Sequence, residues 1–150
     1  MIGLILFVTS ALFIGGLSGL FTRNSASVYQ TITKPLLSPP SIVFPVVWTI
    51  LYIMIGISAA IIYQNEKDLL SRPFIIYYIQ LFLNFFWSFI FFNMQNYLLA
   101  FIWLLMLLIS IIIMIFEFYQ INKLAAILLI PYLLWVLFAG YLNLSIYLLN

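Results

Sequence analysis

The chain has 150 residues, of which 67% are hydrophobic, 19% aromatic and only 5% charged, with a net charge of +2. A soluble domain carries roughly a quarter of its residues as charges, so five basic and three acidic side chains cannot clothe this one in water, and its outer surface must face lipid. The absence of His and Cys excludes imidazole bases, His ligands to metal or haem, thiolate nucleophiles and disulfides, while Glu66, Asp68 and Glu117 form no metal cage and +2 is too little for nucleic acid.

A helix needs about 20 apolar residues to cross a hydrocarbon core, and five stretches qualify. The first runs from about Ile2 to Phe21 and ends at Thr22-Arg23-Asn24. It has no basic n-region, so it reads as a retained span and not a cleaved leader. Within it, Gly15 and Gly19 form a small-xxx-small face for close helix contact, expected inside the bundle. The connection from Thr22 to Ser41 carries Pro35, Pro39 and Pro40 and reads as a stiff, extended lid. Long loops in compact chains are usually functional.

The second span is about Ile42 to Tyr63, with Trp48 and Tyr52 on one face, and stops at the polar run Gln64 to Asp68. The third starts at Pro73, suited to a first helical turn, and ends near Phe92. Its residues Gln80, Asn84 and Ser88 recur every four positions and share a face, beside Trp87 and Phe91. Amides at mid-membrane depth are costly unless they meet a partner or a ligand. The stripe therefore predicts either an interhelical hydrogen bond or a pocket.

The fourth span, about Tyr97 to Tyr119, lies between the polar turns at 93–96 and 120–123. Glu117, near its end, reads as an interfacial carboxylate close to Lys123. In the fifth, from Leu124 to about Leu149, Pro131 is expected to kink the helix and open space beside Trp135, with Ala139 and Asn143 one and two steps of four further on. Trp135 lies too deep for an interfacial belt. Lipid leaves no backbone group bare, so all five spans are helices. The fold class is an all-α integral membrane protein, one five-helix bundle over residues 1–150.

Three segments, in order, resemble the TspO/MBR family of tryptophan-rich sensory and translocator proteins. They are Lys34-Pro35 with Ser38-Pro39-Pro40 and Phe44-Pro45-Val46-Val47-Trp48-Thr49-Ile50-Leu51-Tyr52; Gln80 to Ser88 with Phe91-Phe92; and Pro131-Tyr132-Leu133-Leu134-Trp135 with Phe138-Ala139 and Leu142-Asn143. The resemblance spans essentially the whole chain. It implies a bundle that is often a homodimer, with a cavity closed by the lid. It further implies binding of porphyrins and other apolar small molecules, and light-dependent degradation of protoporphyrin IX in certain bacterial members. By position, the ligand-binding residues it implies are Tyr29, Trp48, Asn84, Trp87, Trp135 and Ala139, with Trp48 and Trp135 the candidates for any oxidative step.

The chain departs from the family pattern at Leu37 and Val28, where lid aromatics are expected, and at Trp103, where an acid is common. Tyr147 is followed only by Leu148-Leu149-Asn150, which lacks the basic residue of a cholesterol-recognition pattern. The expected function is a multi-pass receptor for porphyrins and similar ligands, without a resident cofactor, in a bacterial cell membrane. Arg23 or Lys34 would meet a ligand's carboxylates. A carrier of such ligands, or a sensor acting through the lid, are the alternatives.

Overall fold

The computed structural model describes residues 2–22 and 25–150. Its helices are α1 (Ile2–Phe21), α2 (Ser25–Thr31), α3 (Val43–Asn65), α4 (Arg72–Ser88), α5 (Tyr97–Tyr119), α6 (Lys123–Ile127) and α7 (Ile130–Leu149). A wider turn over Phe89–Asn93 continues α4. Joining that turn to α4 and α6 to α7 gives five helices long and apolar enough to cross a membrane, among the described residues. The outward faces carry exposed apolar side chains such as Ile5, Phe13, Ile109, Phe116 and Leu134, as a lipid-facing surface requires.

Polar residues place the helix ends. Asn96 Oδ1 accepts from the Leu99 N–H at 3.1 Å, and Asn122 Oδ1 accepts from Leu124 and Ala125 at 2.9 and 3.2 Å. Both caps satisfy N–H groups that the helices themselves leave free. Pro73 stands in the first turn of α4, where its missing N–H costs nothing.

Helix α1 is the most peripheral span: only Ala11 and Ser18 of its twenty residues are buried. It lies against α3 at a backbone-to-backbone contact. A Cβ placed on Gly56 would fall 2.6 Å from Val8 Cα and 2.9 Å from Phe7 O. The glycine pair of α1 behaves differently. A Cβ on Gly15 would meet the Tyr52 ring at 2.6 Å, a contact inside the bundle as expected, whereas Gly19 has nothing within 4 Å.

Four expectations from the sequence need correction. The first part of the lid is helical: Ser25–Thr31 contains no proline, so nothing prevents a short helix there, and the extended chain starts only at Ile32. The fifth span breaks where a kink was expected. It ends at Ile127 and restarts at Ile130, so that Pro131 falls in the first turn of α7. At that break Ser58 Oγ donates to the freed Ala125 carbonyl at 2.7 Å. The third span widens instead of continuing as a plain helix, with the Met94 N–H bonding the Phe89 carbonyl five residues back at 3.1 Å. Glu117 pairs with Arg72 at 3.0 Å, not with Lys123. Arg72 starts the neighbouring antiparallel span, so it sits level with the end of α5.

Candidate functional site

A cavity of about 440 Å³ lies between α1, the lid, α3 and α4. One wall is smooth because Gly15, Gly16 and Gly19 project no side chains into it. The opposite wall is aromatic: Tyr29 and Phe44 near the lid, Trp48 deeper, then Trp87 and Phe92. Asn84, Tyr52, Ser88 and Thr49 supply the polar atoms. Small-molecule sites share this composition, mostly apolar with a few convergent polar groups and a volume of some hundreds of Å³.

The polar floor is a directed chain of hydrogen bonds across three spans. The Tyr52 hydroxyl donates to Asn84 Oδ1 at 2.8 Å, and Asn84 Nδ2 donates to the Tyr132 hydroxyl at 2.8 Å. Tyr132 in turn donates to Gln80 Oε1 at 2.8 Å. Beside it, Trp87 Nε1 donates to Asn143 Oδ1 at 3.0 Å, and Asn143 Nδ2 to the Tyr97 carbonyl at 2.8 Å. So the amide stripe of the third span is both glue and pocket: Gln80 is fully buried in the glue, while Asn84 and Ser88 reach the cavity.

The lid is fastened from several sides. The Tyr29 hydroxyl donates to the Pro39 carbonyl at 2.6 Å, and burial raises the Tyr29 pKa above its ordinary value, keeping that donor protonated. Lys34 Nζ donates to the Tyr29 and Ile32 carbonyls at 2.8 and 3.2 Å, closing the end of α2, and lies 4.8 Å from the Tyr29 ring centre. Asn93 Nδ2 holds the last carbonyl of α1, that of Phe21, at 2.7 Å. At the far end, Asn150 clasps Thr33: its Oδ1 accepts from the Thr33 N–H at 3.1 Å and its Nδ2 donates to the Thr33 carbonyl at 2.9 Å.

Two exposed hydrogen bonds of this kind contribute roughly 0.5–1.5 kcal/mol each. Asn150→Ala is therefore expected to raise hydrogen exchange at the Thr33 amide about tenfold. Unchanged exchange there would remove the clasp from the lid's fastenings.

Of the residues expected in the site, Tyr29, Trp48, Asn84 and Trp87 line the cavity together. Trp135 and Ala139 do not. Ala139 borders a separate void of about 20 Å³ with Tyr29, Phe44, Trp87 and Asn143. Trp135 stands half-buried behind Phe44: its indole N–H is sealed from the surface without a hydrogen-bond partner among the described residues, and one side of the ring borders, with Pro131, Leu134 and Phe138, a groove of about 410 Å³. The space that Pro131 was expected to open beside Trp135 is thus on the lipid side. Arg23 lies outside the described residues, and Lys34 is already engaged by carbonyls of its own lid.

Sequence reasoning missed Phe44 and Tyr132 as site-forming residues. Both stand inside the family-like segments, but their roles depend on neighbours contributed by the lid and by other spans. The glycine wall was read only as a packing face, although Gly19 borders open space.

An all-helical, five-span membrane bundle with a lidded, tryptophan-bearing cavity defines a class of integral membrane proteins. Comparison with known sequences supplies the family. The TspO/MBR family matches residues 6–149. The chain is 40% identical to the tryptophan-rich protein TspO of Archaeoglobus fulgidus over 144 residues, 95% of this chain and 94% of that one. It is also 40% identical to the tryptophan-rich protein TspO of Chlorobaculum tepidum over 140 residues, covering 91% and 89%. A tryptophan-rich sensory protein of Cereibacter sphaeroides is 30% identical over 115 residues, covering 77% and 72%. This chain belongs to the TspO/MBR family, and is a multi-pass integral membrane protein.

Proposed function

We propose that the protein is a membrane receptor for porphyrins and similar flat, apolar small molecules. The observation that carries this reading is the cavity itself. It joins an aromatic wall, Trp48 above all, to a floor that keeps a hydrogen-bonding amide at Asn84. Such a site suits a ring system with a few polar edges. With no His, it suits a metal-free macrocycle better than haem.

A protoporphyrin IX titration in detergent, followed by Trp fluorescence in the dark, tests the reading. Saturable quenching is expected. In the Trp48→Phe/Trp135→Phe protein the affinity should fall about tenfold, the scale of losing one or two aromatic contacts. An unchanged affinity would sink the assignment of the indoles to the ligand.

Illuminating the same sample separates two uses of the site. Light-dependent loss of the porphyrin bands, abolished in the double variant, would make the protein a photo-oxidative enzyme with the porphyrin as substrate. In that chemistry the excited ring and oxygen do the work, while the protein orients the ring and offers an oxidisable indole. An unchanged spectrum would leave a receptor. Homodimerisation belongs to the same proposal and would use an outward apolar face. Gly15 is not available to it, since it is pressed on Tyr52.

A further inference from the structure

Trp48 and Trp135 are neighbours, but they do not form a slot. Their rings meet edge to face, 6.4 Å apart at 88°. A flat ligand cannot lie between two faces set at right angles. Trp48 opens on the 440 Å³ cavity and Trp135 does not. The side chain that separates them from a shared ligand is Phe44. Its ring meets Trp135 at 5.7 Å and 64°, and on its other side meets Tyr29 of the lid at 5.0 Å and 69°. Phe44 also borders both the large cavity and the small void beside Ala139.

We propose that Phe44 determines which ligands reach Trp135. The inference rests on the reading of the cavity as a ligand site and deepens it. With the ring as it stands, a ligand in the cavity touches Trp48 but not Trp135. Rotation of Phe44 about its side-chain bonds joins the void to the cavity and uncovers the inner side of Trp135. That rotation gives up two edge-to-face contacts, each a modest attraction. An extended ring system restores them by laying its own face against Tyr29 and Trp135. A single small ring cannot span that distance and leaves Phe44 in place. The site therefore favours broad polycyclic or macrocyclic ligands through the side chain they must displace.

The test uses the difference in emission between proteins with Trp135 and with Trp135→Phe, which isolates the Trp135 component. Acrylamide, a small neutral quencher in water, is the first probe; detergent covers the side of Trp135 that borders the outer groove. Phe44→Ala is expected to raise acrylamide quenching of the Trp135 component several-fold, and to tighten protoporphyrin IX binding several-fold. Phe44→Leu, which keeps apolar bulk without the ring, carries the same test should the alanine protein fail to fold. Quenching of Trp135 that stays unchanged in a variant of normal helical content overturns the proposal. Quenching that rises while protoporphyrin IX affinity stays the same overturns the selectivity. Raised quenching with no porphyrin binding by any of the proteins supports Phe44 as the barrier and rejects the porphyrin reading instead.

Discussion

Asn84→Leu is expected to lower the stability of the detergent-solubilised protein by about 1–2 kcal/mol, and Asn84→Ala by about 2–3 kcal/mol. The difference lies in what each variant removes. Asn84 accepts from Tyr52 on α3 and donates to Tyr132 on α7, so one amide ties three spans together. Interhelical hydrogen bonds in membranes average only about 0.6 kcal/mol and reach about 1.7 kcal/mol. Two of them, with one phenol left partnerless, give the leucine figure. Tyr132 keeps its bond to Gln80, whereas Tyr52 has no second partner. Alanine adds a void in a packed interior, which carries its own cost. The apparent unfolding midpoint in a fixed detergent ranks the two variants. A leucine variant melting with the wild type would show that the chain of hydroxyls and amides contributes no net stability. Ligand affinity should fall in both, because Asn84 is the amide that the cavity exposes.

Gly56→Ala has the second large effect, and a more local cause. The added methyl would sit 2.6 Å from the Val8 Cα and 2.9 Å from the Phe7 carbonyl oxygen and the Val8 nitrogen. All three are backbone atoms, so no side chain can swing aside. Helix α1 must move off α3, and with two buried residues it has little else to hold it. A destabilisation of about 2–3 kcal/mol is expected, the upper range for overpacking, offset slightly by the better helix propensity of alanine. Gly140→Ala is the matched control: its Cβ would meet Leu104 at an ordinary 3.7 Å. Because α1 forms the smooth wall of the cavity, Gly56→Ala should weaken ligand binding as well as melt earlier. Loss of stability with unchanged ligand affinity would detach α1 from the site.

The two sites differ in how far they could be read in advance. Asn84 announces itself, because an amide deep in an apolar run demands an explanation. Its partners do not: Tyr52 and Tyr132 look like ordinary membrane aromatics until the spans are packed. Gly56 is the one glycine of its span, and the small-residue pair it makes with Ala60 was not singled out, while the conspicuous pair in α1 turned out to serve two different purposes. The five spans were legible because hydrophobic length is enough to reveal a crossing. The interruptions were less so: Pro131 marked the fifth span for a kink and not for a gap. Lipid demands apolar residues on either side of a break as much as within a helix, so the gap at 128–129 and the wide turn at 89–93 leave no mark in the hydropathy.

Trp135 shows a further limit of reading by fours. Residues Trp135, Ala139 and Asn143 recur every four positions, yet 3.6 residues make a turn, so each step of four drifts by about 40°. Over two steps the direction changes by about 80°. Asn143 consequently reaches Trp87 in the interior, while Trp135 lies half-buried behind Phe44 with one side on the outer groove. The same drift separates Gln80, sealed among the helices, from Ser88 at the cavity.

The wide turn at Phe89–Asn93 has a bearing on how members of such a family can vary in length. A turn of this kind holds one residue more than a regular helical turn. Deleting one would let the helix close into a regular turn, and because the wide turn absorbs its extra residue locally, the side chains within the turn itself would be re-aimed. Asn93 would then swing away from the Phe21 carbonyl, and the end of α1 would lose the amide that meets it where the lid departs. Phe91 and Phe92 would leave Trp87 in the same movement. A change of one residue in this segment would thus reset the alignment between the bundle and its cover, whereas loops elsewhere on the surface could lengthen with little consequence.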